Sequence, residues 1–389
     1  MKGTRFQDGY VFRSGRYWYL RYYDTVLADS GETRRVQKCK KLVAAEGASR
    51  SKKSAQRLAE EYLKPFNDGT HRPEGTMSLK RFVEHEYLPF IQRQKRPSTY
   101  CGYRKMWSRY LAERSEMAIR DFRTLECERL LAEIAEAYDV STTTLRHVKN
   151  MLSGIFRYAT RTGILNMPNP VRDACVPTGK ASRETYAYSL EEIMRMLDVL
   201  PGNVVPVVAA AAFTGARKGE LRGFLWENYD GEQIRITQSV WNRHITAPKT
   251  IRSTAAVPVI GALSRILDLH RQSMCDPARG LMFCGRRGQP LDLDRIARKI
   301  IKPTLEKAGL RWVGWHGFRR GLATNLYRLG VSDKTIQAIL RHANLSTTMN
   351  LYVKAVGSDA VAAMRSLDRV LCNGYATDPV SGSKVAVVQ

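Results

Sequence analysis

Two breaks in pattern divide this chain into three segments. Residues 67–76 contain Gly69, Pro73 and Gly75, and residues 177–188 are rich in Ser, Thr and Lys. Clusters of this kind interrupt regular structure and read as linkers. Before the first break, Tyr10-Val11-Phe12-Arg13 meets a Ser14-Gly15 turn. Arg16-Tyr17-Trp18-Tyr19-Leu20-Arg21-Tyr22-Tyr23 follows, then a turn at 29–32 and a third run over 33–41. Aromatic and β-branched residues in short runs between turns predict three strands. Residues 54–66 place Ala55, Leu58, Ala59 and Tyr62 at helical spacing.

Between the breaks, residues 77–176 are helical by periodicity. Segments are expected over 77–94, from Arg96-Pro97-Ser98 onward with Ser98 as N-cap, over 125–138 and over 141–162, with Pro168, Pro170 and Pro177 closing the region. After the second break, Ser189-Leu190-Glu191-Glu192 is a capping box. Short strands are expected at 234–236, at Val240 and over 253–259, with Pro248-Lys249-Thr250 in the hairpin turn; Leu225-Trp226 to Asp230 is read as the end of a helix. The expected fold is α+β and mainly helical. It has a DNA-binding sheet-plus-helix domain over 1–68, a helical domain over 77–176, a mixed, mostly helical domain over 186–372 and a flexible tail over 373–389.

Lys and Arg number 63 against 37 Asp and Glu, a formal net charge of +26. The excess is present in every segment, so it is not a basic tail. A charge distributed in this way suits wrapping around a polyanion, nucleic acid before others, although a generally basic protein shares it. Double-stranded DNA is therefore the expected partner. Arg16, Arg21, Lys38 and Lys40 on the strands and Arg104, Lys105, Arg146 and Lys149 on the helices are the candidate DNA contacts. The 7 Cys include no C-x-x-C pair, which argues against a disulfide frame or a zinc ribbon and for a reducing cytosol. The start is polar, with no signal-peptide pattern. The apolar run from Val204 to Phe213 is too short to cross a membrane and reads as a buried helix. A bacterial cytoplasmic location and no membrane partner are expected.

The chemistry-bearing residues lie beyond 210. Thr214-Gly215-Ala216-Arg217-Lys218-Gly219-Glu220-Leu221 puts Arg217 at a helix start with Glu220 one turn on. Lys249 follows in the hairpin, then Ser253 and Val257-Pro258. His316-Gly317-Phe318-Arg319 places His and Arg on one helical face, followed by His342 and Tyr352. Each has a plainer reading: Arg217 can pair with Glu220, His342 can be a core histidine, and Tyr352 sits between Leu351 and Val353 as a core aromatic would.

Taken in order, T-G-x-R-x-G-E-L, K-T, S, V-P, H-x-x-R, H and Y resemble the catalytic domain of the tyrosine recombinase, or phage integrase, family. The 77–176 region resembles that family's core-binding, SAM-like domain, and residues 1–66 resemble more loosely its arm-binding domain. Chemistry and resemblance assign the same parts. Arg217 and Arg319 clamp a phosphate bidentately, and Tyr352 attacks the phosphorus. Lys249 protonates the leaving oxygen, His316 is base or proton shuttle, His342 hydrogen-bonds the phosphate and Glu220 orients Arg217. Spare Asp and Glu and no cluster with metal-ligand spacing leave fixed cations to hold the developing charge; neither metal nor cofactor is expected.

The resemblance further implies a 3′-phosphotyrosyl intermediate, a homotetramer on two attachment-type DNA sites and a Holliday junction, as in a prophage or other mobile-element integrase. A host DNA-bending or excision factor is a further partner it allows. The rivals are a type IB topoisomerase-like or telomere-resolving relative, and a catalytically silent DNA-binding accessory protein. The sequence departs from the family pattern at Gly317 and Gly321, usually Asp and a hydroxyl residue. It departs again at Arg341, where Gly commonly precedes the second His, and at Thr254 and Ala255, where Arg is common. Arg341 is expected to alter the seating of the helix before Tyr352, and Tyr352 itself is expected on a mobile C-terminal helix.

Overall fold

The computed structural model describes residues 6–28, 30–47, 51–69, 71–181, 185–247 and 256–341. The chain divides into two compact units, residues 1–183 and 184–389.

In the first unit, β1 (Tyr10–Ser14), β2 (Tyr17–Leu27) and β3 (Thr33–Ala44) form an antiparallel meander. Alternation along the strands sends Val11, Trp18, Leu20 and Tyr22 inward. They pack on α1 (Lys52–Asn67), whose small residues Ala55 and Ala59 permit close approach. The 77–94 run is one helical stretch in three pieces: α2 (Leu79–Phe82), a π-helical turn Val83–Tyr87 and α3 (Leu88–Gln94). Pro89, at the start of α3, has no N–H to give the preceding turn, which accounts for the widened hydrogen bonding there.

α4 (Pro97–Met106) corrects the capping expectation. Arg96, not Ser98, is the N-cap, because Pro97 occupies the first helical position that its fixed φ suits. α5 (Thr124–Tyr138) and α6 (Thr142–Arg161) complete the helical part, and Ser141 caps α6 by accepting from the Thr144 N–H. Leu145, Val148, Leu152, Ile155 and Ala159 form the buried stripe of α6.

The sheet and the helices, expected as two domains, share this one unit. Asp24 is fully buried at the junction. Lys38 and His71 each reach its carboxylate at 3.0 Å, and Arg120 pairs with it as well. Burial alone would raise the Asp24 pKa, but hydrogen bonds from His71, Arg120 and Lys38 outweigh it and hold the carboxyl well below the usual range. Arg81 also donates to the Ala28 carbonyl at 2.8 Å.

The second unit is built on α8 (Val205–Thr214), buried from Pro206 through Ala212. It follows α7 (Leu190–Val199), opened by the reciprocal Ser189–Glu192 capping box. After α9 (Lys218–Leu221), the expected helix end at 225–230 is instead a 3-10 turn, Trp226–Asn228, entered from an extended Leu225. The single expected hairpin is two small sheets. β4 (Gln233–Arg235) pairs with β7 (Ala256–Pro258), while β5 (Ser239–Trp241) and β6 (His244–Thr246) form an inserted hairpin. Asn242, with φ 52°, makes the β5–β6 turn. Residues 248–255 and the tail expected at 373–389 lie outside the described residues.

α10 (Gly261–Ser273), α11 (Leu293–Ile296), a π-helical turn Ala297–Ile301 and α12 (Lys302–Lys307) lead to α13 (Trp315–Arg328) and α14 (Asp333–Leu340). α13 packs on α8 and closes over Tyr188 through two glycines. A Cβ on Gly317 would lie 2.6 Å from Tyr188 Cε2, and one on Gly321 would lie 2.5 Å from the Tyr188 carbonyl oxygen. Packing over Tyr188 is thus the physical reason for glycine at two positions where the family pattern has Asp and a hydroxyl residue.

Candidate active site

Gly215 ends α8 in the left-handed conformation, φ 59°, and its missing side chain admits Leu340 and Leu322. The reversal makes Arg217 the N-cap of α9. Its backbone N–H donates to Glu220 Oε2 at 3.0 Å and its Nη1 to Oε1 at 2.7 Å. The Arg217 side chain is 37% exposed and that of Glu220 only 5%. A buried carboxylate therefore stands behind a cation that faces solvent. Sequence spacing predicted this pair, and the orienting geometry expected of Glu220 is present.

His316 and Arg319 occupy the first turns of α13. Arg319 is 4% exposed; its Nη1 donates to the Gly215 carbonyl at 2.6 Å and its Nη2 to the Leu340 carbonyl. Neighbouring Arg320 faces another way and donates from Nε to the Tyr186 carbonyl at 2.7 Å. Arg341 caps α14 with φ 55° and directs its 1% exposed side chain at the same carboxylate, Nη2 to Glu220 Oε2 at 3.0 Å. Sequence reading treated Arg341 as an oddity of helix seating and missed it as a member of this cluster. Its only signal was an Arg where the family pattern has Gly.

Two guanidiniums, of Arg217 and Arg341, thus converge on one carboxylate, with that of Arg319 held beside them by backbone carbonyls. Burial would raise the Glu220 pKa, but Arg341 and Arg217 more than offset it and keep the group ionised. Burial, with repulsion from Arg217 and Arg341, lowers Arg319 to about 9, which leaves it charged at neutral pH. Partial burial of the His316 ring, then repulsion by Arg319, Arg320, Arg217 and Lys218, lowers its pKa and favours the neutral form able to accept a proton. Positive charge in excess of its one buried partner is the electrostatic character of an anion site.

Residues 187–357 match the family model described as the phage integrase family. That stretch of the chain carries a phage integrase family domain. A tyrosine recombinase XerC-like protein of Caldanaerobacter subterraneus is 26% identical over 363 residues, covering 84% of this chain and 92% of that protein. An integrase of Streptomyces ambofaciens is 22% identical, covering 81% and 86%. Among solved structures, the Tn1549 transposon integrase in complex with transposon right end DNA aligns at TM-score 0.62 and 17% identity, over 75% of this chain and all of that one. A lambda integrase dimer bound to a COC' core site aligns at TM-score 0.56 and 17% identity, over 88% and 93%. These structural likenesses establish a shared fold.

Of the catalytic candidates, Arg217, Glu220, His316 and Arg319 are brought to one face. Lys249, His342 and Tyr352 lie outside the described residues. Among the DNA candidates, Arg16, Arg104, Lys105 and Arg146 are not buried. Arg21 is exposed on the outer face of the sheet, its guanidinium 5.2 Å from the Phe12 ring centroid. Lys38 and Lys40 stand on the other face of the sheet. They pair across β2 with Tyr22 and Leu20, the inward positions, so Lys38 meets Asp24 and Lys40 sits 4.3 Å over Tyr62 of α1. Lys149 is also engaged, donating to the Arg172 carbonyl at 3.3 Å and to the Ala174 carbonyl. Sequence reading missed Arg35, 4.3 Å over Tyr23, and Lys41, 3.1 Å over Tyr17, which complete a basic and aromatic outer face with Tyr10, Phe12 and Tyr19. The strand period of two was the available signal.

Proposed function

We propose that this chain is a site-specific DNA recombinase that breaks and rejoins strands by transesterification, integrating and excising a mobile element such as a prophage. The observation that supports it most is that Arg217 is fixed by Glu220 and Arg319 by the Gly215 carbonyl in the same cluster, with neutral-leaning His316 on the same helix as Arg319. Guanidiniums fixed by other bonds are preorganised to hold charge that develops on the non-bridging phosphate oxygens. Tyr352 attacks phosphorus, its proton passing to His316. The bond to the 5′ oxygen breaks, and that oxygen takes a proton from Lys249. His342 hydrogen-bonds the phosphate. The 3′-phosphotyrosyl bond keeps the energy of the broken phosphodiester, so a free 5′-hydroxyl reverses the step on the same or an exchanged strand without ATP or a metal ion.

In this reading residues 77–176 embrace the core site and the outer face of the sheet contacts arm DNA. Four copies bring two sites together through a Holliday junction, the arrangement in which a lambda integrase tetramer has been solved. The test is a plasmid carrying two copies of the DNA site that the protein itself selects from random duplexes. Recombinant product from that plasmid, with no relaxation of one lacking the site, is expected. Relaxation regardless of site would replace this reading with a topoisomerase.

A further inference from the structure

Arg341 is buried more completely than either arginine of the proposed clamp, yet only one of its three guanidinium nitrogens has a partner among the described residues. Nη2 meets Glu220, while Nε and Nη1 have none. Burying a guanidinium is costly unless its charge is compensated. Its backbone adds a second cost, since φ 55° at a non-glycine residue is disfavoured by about 1 kcal/mol. Glycine would avoid both costs. An arginine held here against both therefore points to a task for its charge.

The geometry identifies that task. Glu220 has two oxygens and three donors: Arg217 Nη1 on Oε1, with the Arg217 N–H and Arg341 Nη2 on Oε2. Alone, Arg217 and Glu220 would cancel to a neutral pair, and a buried carboxylate would draw the Arg217 guanidinium inward. With Arg341 as second counter-charge, the carboxylate is neutralised from behind. Arg217 is then oriented by Glu220 and keeps a net positive surface. The same helix end is gripped a second time, because Arg319 donates to the carbonyl of Leu340, the residue before Arg341. Both clamp arginines thus connect to one point on the chain, Arg319 directly and Arg217 through Glu220.

We propose that Arg341 is a positioning residue for phosphate cleavage, acting through Glu220 to set the charge and orientation of Arg217. The inference rests on the reading of this domain as a DNA-cleaving recombinase.

A double-mutant cycle tests it. Wild type, Arg341→Gly, Glu220→Gln and the double variant are compared in single-turnover formation of covalent protein–DNA adduct. The substrate is a nicked suicide duplex selected by the wild-type protein, at saturating and sub-saturating DNA. Arg341→Gly is expected to slow the saturated rate about tenfold while half-saturation changes less than about twofold; in the Glu220→Gln background the same change costs less than about twofold. An unchanged rate, an equal factor in both backgrounds, or a loss confined to DNA binding would overturn the proposal. If Arg341→Gly is too unstable to bind DNA, Glu220→Gln and the double variant carry the comparison, since the double variant removes the buried Arg341 charge together with its Glu220 partner. Equal rates support the proposal and a slower double variant overturns it. Absence of adduct from wild type would instead refute the recombinase reading on which it rests.

Discussion

Replacing Gly321 by Ala sets two effects of known size against each other. Alanine favours a helix interior by about 1 kcal/mol over glycine. The added methyl, however, would stand 2.5 Å from the Tyr188 carbonyl oxygen, 3.2 Å from its nitrogen and 3.3 Å from its carbonyl carbon. Comfortable separation is about 3.5 Å, so one side must retreat by about 1 Å. Tyr188 cannot readily do so. It is fully buried, its hydroxyl accepts from the Val313 N–H at 2.7 Å and its carbonyl accepts from Asn325 Nδ2 at 3.2 Å. The next residue, Ser189, caps α7. Overpacking of this kind costs about 1–3 kcal/mol, so the net expectation is a loss of about 1 kcal/mol.

Activity should suffer more. α13 carries His316 and Arg319, and a misplacement of about 1 Å at reacting groups costs up to about 100-fold. Denaturant unfolding gives the first quantity and single-turnover adduct formation the second. A Gly321→Ala protein as stable as wild type, with the wild-type rate, would show that α13 slides freely over Tyr188 and would refute the reasoning.

Asp24→Asn should cost about 3 kcal/mol of stability in the first unit, the low end for breaking a buried ion pair because Lys38 is partly exposed. The Asp24 carboxyl is held below its usual value, so its contribution is complete above about pH 4 and is lost as pH falls through the lower folded-state value. Denaturation of both proteins from pH 7 to pH 3 should show the gap narrowing only in acid. For His316, the lowered pKa predicts that kcat/KM for adduct formation holds steady down to about pH 6.5 and declines only below it; a decline beginning above pH 7 would count against His316 as base. For the sheet, Arg21→Ala and Lys41→Ala should each lower the salt dependence of arm-DNA binding by about one ion. Lys38→Ala should leave that slope unchanged and lower the melting temperature, since Lys38 serves Asp24.

The sequence made some of this legible and concealed the rest for physical reasons. The strands, α1, α6 and the Ser189 capping box follow from local period and capping, which short-range chemistry controls. Arg217, Glu220, His316 and Arg319 were legible because their spacing is that of a helix turn. The internal partners of Lys38 and Lys149 were not legible because a lysine with a buried partner looks the same in sequence as a solvated one; only the approach of Asp24 and of the Arg172 and Ala174 carbonyls distinguishes them. The β5–β6 hairpin was missed because its three-residue strands carry too little alternation to register. Arg341 was recognised as a departure but not as a site residue. Its partner lies 121 residues away, and no local pattern reports a buried pair at that separation.

The central claim is that Tyr352 becomes covalently joined to DNA at a phosphate held by Arg217 and Arg319. Incubation with a nicked suicide duplex followed by a denaturing gel tests it directly. The account predicts a slow-migrating protein–DNA species from wild type that survives denaturation and is absent from Tyr352→Phe. No such species from wild type, or its persistence in Tyr352→Phe, would contradict the account.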